Sequence, residues 1–225
     1  MLRNLLAKRR LLSEAEIHIY TPESYPLMEM GPAISEFTLR QILQQKIIVH
    51  YESQFQKVWD SEKAFRRRLQ FRAGEVKCDL LTYVPPAQGS AVIQNSGLGD
   101  AQGWIRADPH HLTTAYPDIF AMGDAADIRL PNGKSLIKCG AVGTIQSYVV
   151  GKNVMAVVKG EEPKQSYGGW TIFVPEIGKG RAVTAIGKLY SKGPPRFWIT
   201  PISRIWRLNK RLVEYVWKNR VKLPI

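Results

Sequence analysis

Apolar residues first recur at helical spacing. Leu2, Leu5 and Leu6, then Leu11 and Leu12, alternate with basic residues, the pattern of an amphipathic helix already under way where the sequence starts. Residues 16–21 (EIHIYT) switch to a β-branched and aromatic run closed by Pro22, which predicts a strand. After Pro32, Ile34, Phe37, Leu39, Ile42 and Leu43 return to helical spacing, and Ile47 to His50 restores a strand pattern. Helix, strand, helix, strand is the alternation of a parallel α/β sheet.

Two short strands are predicted next, at 56–60 and 67–71, joined by a charged loop. A turn at Arg72–Glu75 follows, and then an apolar run, Cys78 to Val84, reads as a buried strand. Pro85-Pro86 stops it, since proline cannot donate a ladder hydrogen bond. Residues 87–117 are loop-rich. Asp118 to Met122 predicts a short apolar strand running into Gly123-Asp124. From Gly140 a long helix is predicted, with Val142, Ile145, Val149, Val150, Val154 and Val157 on its apolar side. Glycine turns and short strands fill the stretch from about 161, before a basic, aromatic end. The expected fold class is α/β. The domain expectation is 1–84, 85–160 and 161–225.

Composition narrows the partners more than the fold. The chain has 225 residues, 44% hydrophobic and 23% charged, as expected of a globular protein with a proper core. Its net charge of +13 favours anionic partners such as membrane surfaces or phosphorylated ligands. The two cysteines, Cys78 and Cys139, stand in no CxxC or Cys/His arrangement, so neither a disulfide framework nor a metal site follows from them. No apolar run approaches the roughly 20 residues that a spanning helix needs.

The stretch 112–128 (LTTAYPDIFAMGDAADI) concentrates the candidate chemistry. Glycine lets backbone approach a ligand closely, and a carboxylate accepts hydrogen bonds from a polyol. Lys138-Cys139-Gly140 then leads into the long helix near Ala141, whose N-terminus offers unpaired N–H groups and the positive end of a dipole.

YPDIFAMGDAA resembles the second flavin-binding motif of the pyridine-nucleotide–disulfide oxidoreductase superfamily. The wider series AEIHIYTPES, CDLLTYVPP and SGLGDAQGWIRADPHHL looks most like the sulfide:quinone oxidoreductases, over nearly the whole chain. The resemblance implies a remnant of two Rossmann-like dinucleotide-binding domains, a partial NAD(P)-binding-like one over 1–84 and the C-terminal half of an FAD-binding one over 85–160. A small C-terminal α+β region with an amphipathic helix follows. The implied cofactor is FAD. Gly123 and Asp124 would contact its ribityl and pyrophosphate, Lys138, Gly140 and Ala141 would lie beside the isoalloxazine, and Pro85 would close one side. Such a helix end, with Lys138 beside it, would stabilise negative charge arising there on reduction. Cys139 falls where the family has a redox cysteine and is the candidate catalytic residue.

The sequence departs from the family in having no GxGxxG loop to hold the pyrophosphate. The expectation is a fragment that needs a missing N-terminal segment or a partner chain to retain FAD. The strand at 16–21 ends in Tyr20-Thr21-Pro22, with Glu23 displaced from the position of a ribose-binding acid. That leans toward quinone as electron acceptor and away from an NAD(P)H dehydrogenase, which stays open as an alternative. A non-catalytic truncated product is the third.

Residues 192–225 hold nine basic groups and one acid, Glu214, interleaved with Phe197, Trp198, Trp206, Tyr215 and Trp217. From an N-cap at Ser203, Ile205, Leu208, Leu212, Val213 and Val216 share one helix side. Such a helix can lie in a membrane interface. Residues 196–222 are therefore expected to bind an anionic membrane surface, giving a peripheral membrane protein on the cytoplasmic side. No nucleic-acid motif accompanies the charge.

Overall fold

A computed structural model describes residues 2–60, 67–131 and 133–220 of the chain. Residues 61–66, Lys222 and the side chains of Val216 and Trp217, all used in the sequence reading, lie outside the described residues. The chain divides into two compact units. The first comprises Met1–Met28, Ile34–Pro86 and Ile177–Lys179, and the second Glu29–Ala33, Ala87–Glu176 and Gly180–Ile225.

The first unit opens with α1 (Leu2–Lys8), β1 (His18–Tyr20), α2 (Pro32–Gln44) and β2 (Ile48–His50). Pro32 occupies the first position of α2, where its missing N–H costs nothing. β1 and β2 pair in parallel, with Tyr20 opposite His50, so α2 is the crossover that a parallel pair requires. An antiparallel meander follows: β3 (Phe55–Asp60), β4 (Arg67–Phe71) and β5 (Gly74–Cys78). Aromatic stacking joins the two sheets. Tyr20 lies 4.2 Å from the His50 ring and 4.3 Å from Phe71, and Phe55 meets Phe71 edge-on. Offset pairs of this kind add to simple area burial.

The strand expected from Cys78 to Val84 is not formed. β5 stops at Cys78, and Leu80, Tyr83 and Val84 are exposed. An apolar run alone does not create a partner strand, and β4 already has β3 and β5 on its two edges.

The second unit contains α3 (Ala91–Ser96), β6 (Ile105–Arg106), β7 (Ala126–Asp127), α4 (Gly140–Val158) and β8 (Trp170–Phe173). After β9 (Glu176–Gly178) come β10 (Arg181–Ala182), β11 (Ala185–Lys188), β12 (Arg196–Ile199) and α5 (Arg204–Arg220). β6 and β7 pair in parallel, and β11 lies between β12 and β8, antiparallel to both. The apolar strand expected at 118–122 is also absent as a strand. Only an isolated bridge, Thr113 to Phe120, forms there, and the ladder begins after Gly123 rather than before it.

α4 begins at the expected glycine, but its buried stripe is not the valine series. Val142, Gln146 and Asn153 are the buried residues, whereas Val154 is exposed. The helix is apolar on nearly every side, so periodicity of apolar residues could not orient it. Its two buried amides do. Asn153 donates to the carbonyls of His111 (3.1 Å) and Gln165 (3.0 Å) and accepts from the Gln165 N–H at 2.9 Å. One side chain thereby ties α4 to two loops.

Replacing Asn153 with leucine strands these loop groups in the interior. Asn153→Leu is expected to lower the unfolding free energy by roughly 2–3 kcal/mol, read as a lower urea midpoint at unchanged slope. Lys152→Ala, exposed on the same helix, is expected to stay within about 0.5 kcal/mol of the parent.

Candidate functional site

The site is built where a tight turn meets a helix start. Gly123–Ala125 form a single 3-10 turn, and Gly123 has φ +57°, a conformation that costs other residues about 1–2 kcal/mol. A Cβ at Gly123 would stand 3.5 Å from the Gly143 Cα, and one at Gly143 would stand 3.4 Å from the Gly123 Cα. Two glycines thus let the turn and the first turn of α4 approach backbone to backbone. Gln146, fully buried one turn further on, accepts a 2.7 Å hydrogen bond from the Gly123 N–H.

Lys138 reaches back to the turn. Its ammonium donates to the Ala126 carbonyl at 2.5 Å and the Asp124 carbonyl at 3.2 Å, and it lies 4.0 Å above the Trp104 ring. It clamps the turn from below. Burial holds its pKa under the usual lysine range, against the opposing pull of Asp127, Asp124 and Asp100. Beyond the turn, Asp127 is shared by Arg106, Arg129 and Ser135, each at 2.9 Å. Burial works against its ionisation, but these three hydrogen bonds keep its pKa below the usual carboxylate range.

The Asp124 side chain is exposed on the turn. Gly140 is the first residue of α4, with no atom within 4 Å of where its Cβ would stand, and Ala141 follows in the first turn. Cys139 is the N-cap, but its thiol makes no capping bond. The first N–H groups of α4 are therefore not satisfied by a cap side chain. Gly123, Asp124, Lys138, Cys139, Gly140 and Ala141 all come together in the second unit. Pro85 is exposed and lies in the first unit, as does Cys78. Burial, then Asp79, pushes the Cys78 thiol's pKa up, with Arg67 opposing, a setting that suppresses thiolate. Glu23, also in the first unit, uses its carboxylate to accept the Leu27 N–H at 3.4 Å.

Gly143, Gln146 and Trp104 are the contributors that motif reading overlooks. Gln146 had a signal, being a polar residue in an otherwise apolar helix. Gly143 had one only in retrospect, as a glycine within a helix interior, where it costs about 1 kcal/mol unless something needs the space.

The arrangement fits a flavin's ribityl and ring. The positive-φ turn presents a carboxylate, and the uncapped end of α4 faces open space across Gly140. The Gln146 Nε2 is buried and has no hydrogen-bond partner among the described residues.

Lys138→Met removes the clamp and is expected to cost about 1–2 kcal/mol. A pH signature accompanies it. Between the lowered pKa of folded Lys138 and its ordinary 10.5, the unfolded chain holds a proton that the folded chain has released. In that window the wild type should gain stability relative to Lys138→Met as pH rises. Paired denaturation curves across the alkaline range would show the gap widening. A constant gap would mean that Lys138 is not desolvated.

No protein-family model matches the chain. Over 108 residues, 48% of its length, it is 27% identical to the mitochondrial sulfide:quinone oxidoreductase of Mus musculus, of which that stretch is 23%. The sulfide:quinone oxidoreductase of Aquifex aeolicus superposes with a TM-score of 0.77 at 16% identity, covering 97% of this chain and 53% of that one. An FAD-dependent pyridine nucleotide-disulphide oxidoreductase from Desulfovibrio vulgaris gives 0.56 at 16% identity over 78% of this chain and 43% of its own. The chain therefore spans about a quarter of the curated relative and about half of the matched structures. In sequence it is similar to a sulfide:quinone oxidoreductase, and in fold it shares the Rossmann-like architecture of the flavin-dependent pyridine nucleotide-disulphide oxidoreductases.

Proposed function

We propose that the chain is part of an FAD-dependent oxidoreductase that passes electrons from a reductant such as sulfide to a quinone at a membrane surface. The observation that carries the cofactor reading is the Gly123 turn held against the uncapped start of α4. FAD, when bound, supplies the electron-accepting ring that no side chain provides. In this reading Asp124 accepts hydrogen bonds from the cofactor's polyol. Gly140 and Ala141 present N–H groups and a helix dipole to its electron-rich edge. Lys138 acts through the turn whose carbonyls it holds. Cys139, at the head of α4, is the candidate redox thiol. β1 ends at Tyr20, and Glu23 lies beyond it, displaced from the strand-end position of an acid that would bind a nicotinamide cofactor's ribose, which leans toward the quinone reading.

A quinone dissolved in a bilayer requires the enzyme to reach it, and α5 supports this part of the proposal. Ser203 caps the helix, accepting the Ile205 N–H at 3.1 Å. Arg207 and Lys210 turn inward and pair with Glu176 at 3.4 and 3.5 Å. Ile205, Leu208, Leu212, Val213 and Tyr215 face outward, each at least 60% exposed. The helix is thus docked by its charged side with its apolar side uncovered, the reverse of a helix packed on its own core. No described helix is long and apolar enough to cross a membrane, so α5 would lie in the interface.

Two experiments test the proposal. In fluorescence titrations with FAD of a full-length parent protein or a complemented assembly, Asp124→Ala is expected to weaken binding about ten-fold or more, while Cys139→Ser leaves it unchanged. An equal or greater loss in Cys139→Ser would overturn this ranking, and unchanged affinity in Asp124→Ala would remove Asp124 from the site. In vesicle co-sedimentation, Leu208→Glu/Leu212→Glu is expected to abolish most binding to anionic vesicles. A salt-resistant fraction should distinguish apolar insertion from charge attraction alone. Unchanged sedimentation of this variant would refute the α5 anchor.

A further inference from the structure

A second cleft lies in the same unit as the candidate flavin site, at the far end of the β6–β7 ladder. The chain enters that ladder from Gly123 and leaves it at Asp127, and the cleft opens among the residues that follow each strand, His110 after β6 and Arg129 after β7. It measures about 570 Å³ and is lined by His110, Arg129, Lys188, Tyr190, Ser191 and Lys192, among others. No carboxylate is among its lining residues. A volume of this order suits a small ligand or a headgroup.

The charges around it are poorly neutralised. Arg129 pairs with Asp127, but that carboxylate is shared with Arg106, so one acid answers two guanidinium groups. Lys188 stands directly opposite Arg196 in the β11–β12 register, and like charges so placed oppose the strand pairing they belong to. An anion between them would relieve this. The floor, by contrast, is rigid. The half-buried Tyr190 hydroxyl donates to the Pro109 carbonyl at 2.6 Å, and its ring meets His110 and Tyr167 edge-on.

Lys188 also belongs to a second surface. On the outward face of the β8–β11–β12 sheet it is flanked by Trp170 and Arg196, and the next row across the strands is Ile172, Ile186 and Trp198. Those four apolar residues are exposed, Trp198 by 65% and Trp170 by 57%. A basic cleft bordered by tryptophan and isoleucine combines two recognitions, one for a phosphate and one for the acyl chains beside it.

We propose that the cleft at His110, Arg129, Lys188 and Lys192 binds the phosphodiester headgroup of an anionic phospholipid, whose chains lie along Trp170, Ile172, Ile186 and Trp198. The site is separate from α5, although its role rests on the membrane reading above.

The test uses the full chain in vesicle co-sedimentation, with phosphatidylglycerol in one vesicle set and a fatty-acid carboxylate of equal surface charge in the other. Lys188→Gln/Lys192→Gln is expected to lose about ten-fold in affinity for the phosphatidylglycerol vesicles and little for the carboxylate ones. Lys152→Gln/Lys159→Gln, exposed on and just after α4, removes the same charge elsewhere and should change neither. Equal losses in the two double variants, or equal losses on the two vesicle sets, would overturn the proposal in favour of diffuse attraction. Inorganic phosphate is titrated by calorimetry as a third arm. Saturable binding that displaces the vesicles would overturn the lipid assignment and make the cleft a site for the free anion. The Leu208→Glu/Leu212→Glu variant separates the two readings. Loss of binding there, with the cleft variant behaving as wild type, rejects the cleft alone. Absence of vesicle binding by the wild type rejects both.

Discussion

The approach of the Gly123 turn to the first turn of α4 is the constraint on which the second unit's organisation rests. The two backbones face each other directly, so that a Cβ on either glycine would sit in van der Waals contact with the other's Cα, and Gly123 is further required by its positive φ. What fixes the distance is polar. Gln146 reaches from the helix to the turn's first N–H, and Lys138 gathers the carbonyls of Asp124 and Ala126 from the opposite side. The turn is thus held through its main chain, which leaves the Asp124 carboxylate free to face outward. Rigid backbone with a free functional group is what a binding site needs.

This arrangement explains why burial of polar groups, and not of valines, orients α4. An apolar helix can rotate about its axis with little change in area buried. A helix with Gln146 and Asn153 on one stripe cannot, because any rotation would take these amides away from the backbone groups they satisfy. The two residues are seven positions apart, close to two full turns, and so act on the same face at its two ends. The price is one unpartnered donor, the Gln146 Nε2, beside the region assigned to the flavin.

Much of the fold was readable in the sequence. The alternation at the start, the charged meander, the glycine opening α4 and the serine capping α5 all rest on local chemistry: periodicity, proline, and a hydroxyl at a helix end. The errors have a common origin. Cys78–Val84 and Asp118–Met122 have the composition of strands, but the first pairs with no described strand beyond Cys78 and the second makes only an isolated bridge, because pairing is a property of the whole fold. The candidate site was legible as a cluster, since Gly123, Asp124 and Lys138 to Ala141 do assemble. The direction in which Lys138 points was not, because a lysine's targets are decided by which carbonyls the fold leaves unpaired beneath it.

The outward face of α5 has a further consequence for how the chain tolerates change. Its leucines, isoleucine and valine contribute little to folding, because each keeps at least 60% of its surface in water in the native state. Arg207 and Lys210, by contrast, hold the helix to Glu176. A stability screen would therefore score this helix backwards from the usual pattern, finding its charged positions restrictive and its hydrophobic ones permissive. Any pressure that keeps those hydrophobic positions hydrophobic must come from contacts that the described residues do not make with one another.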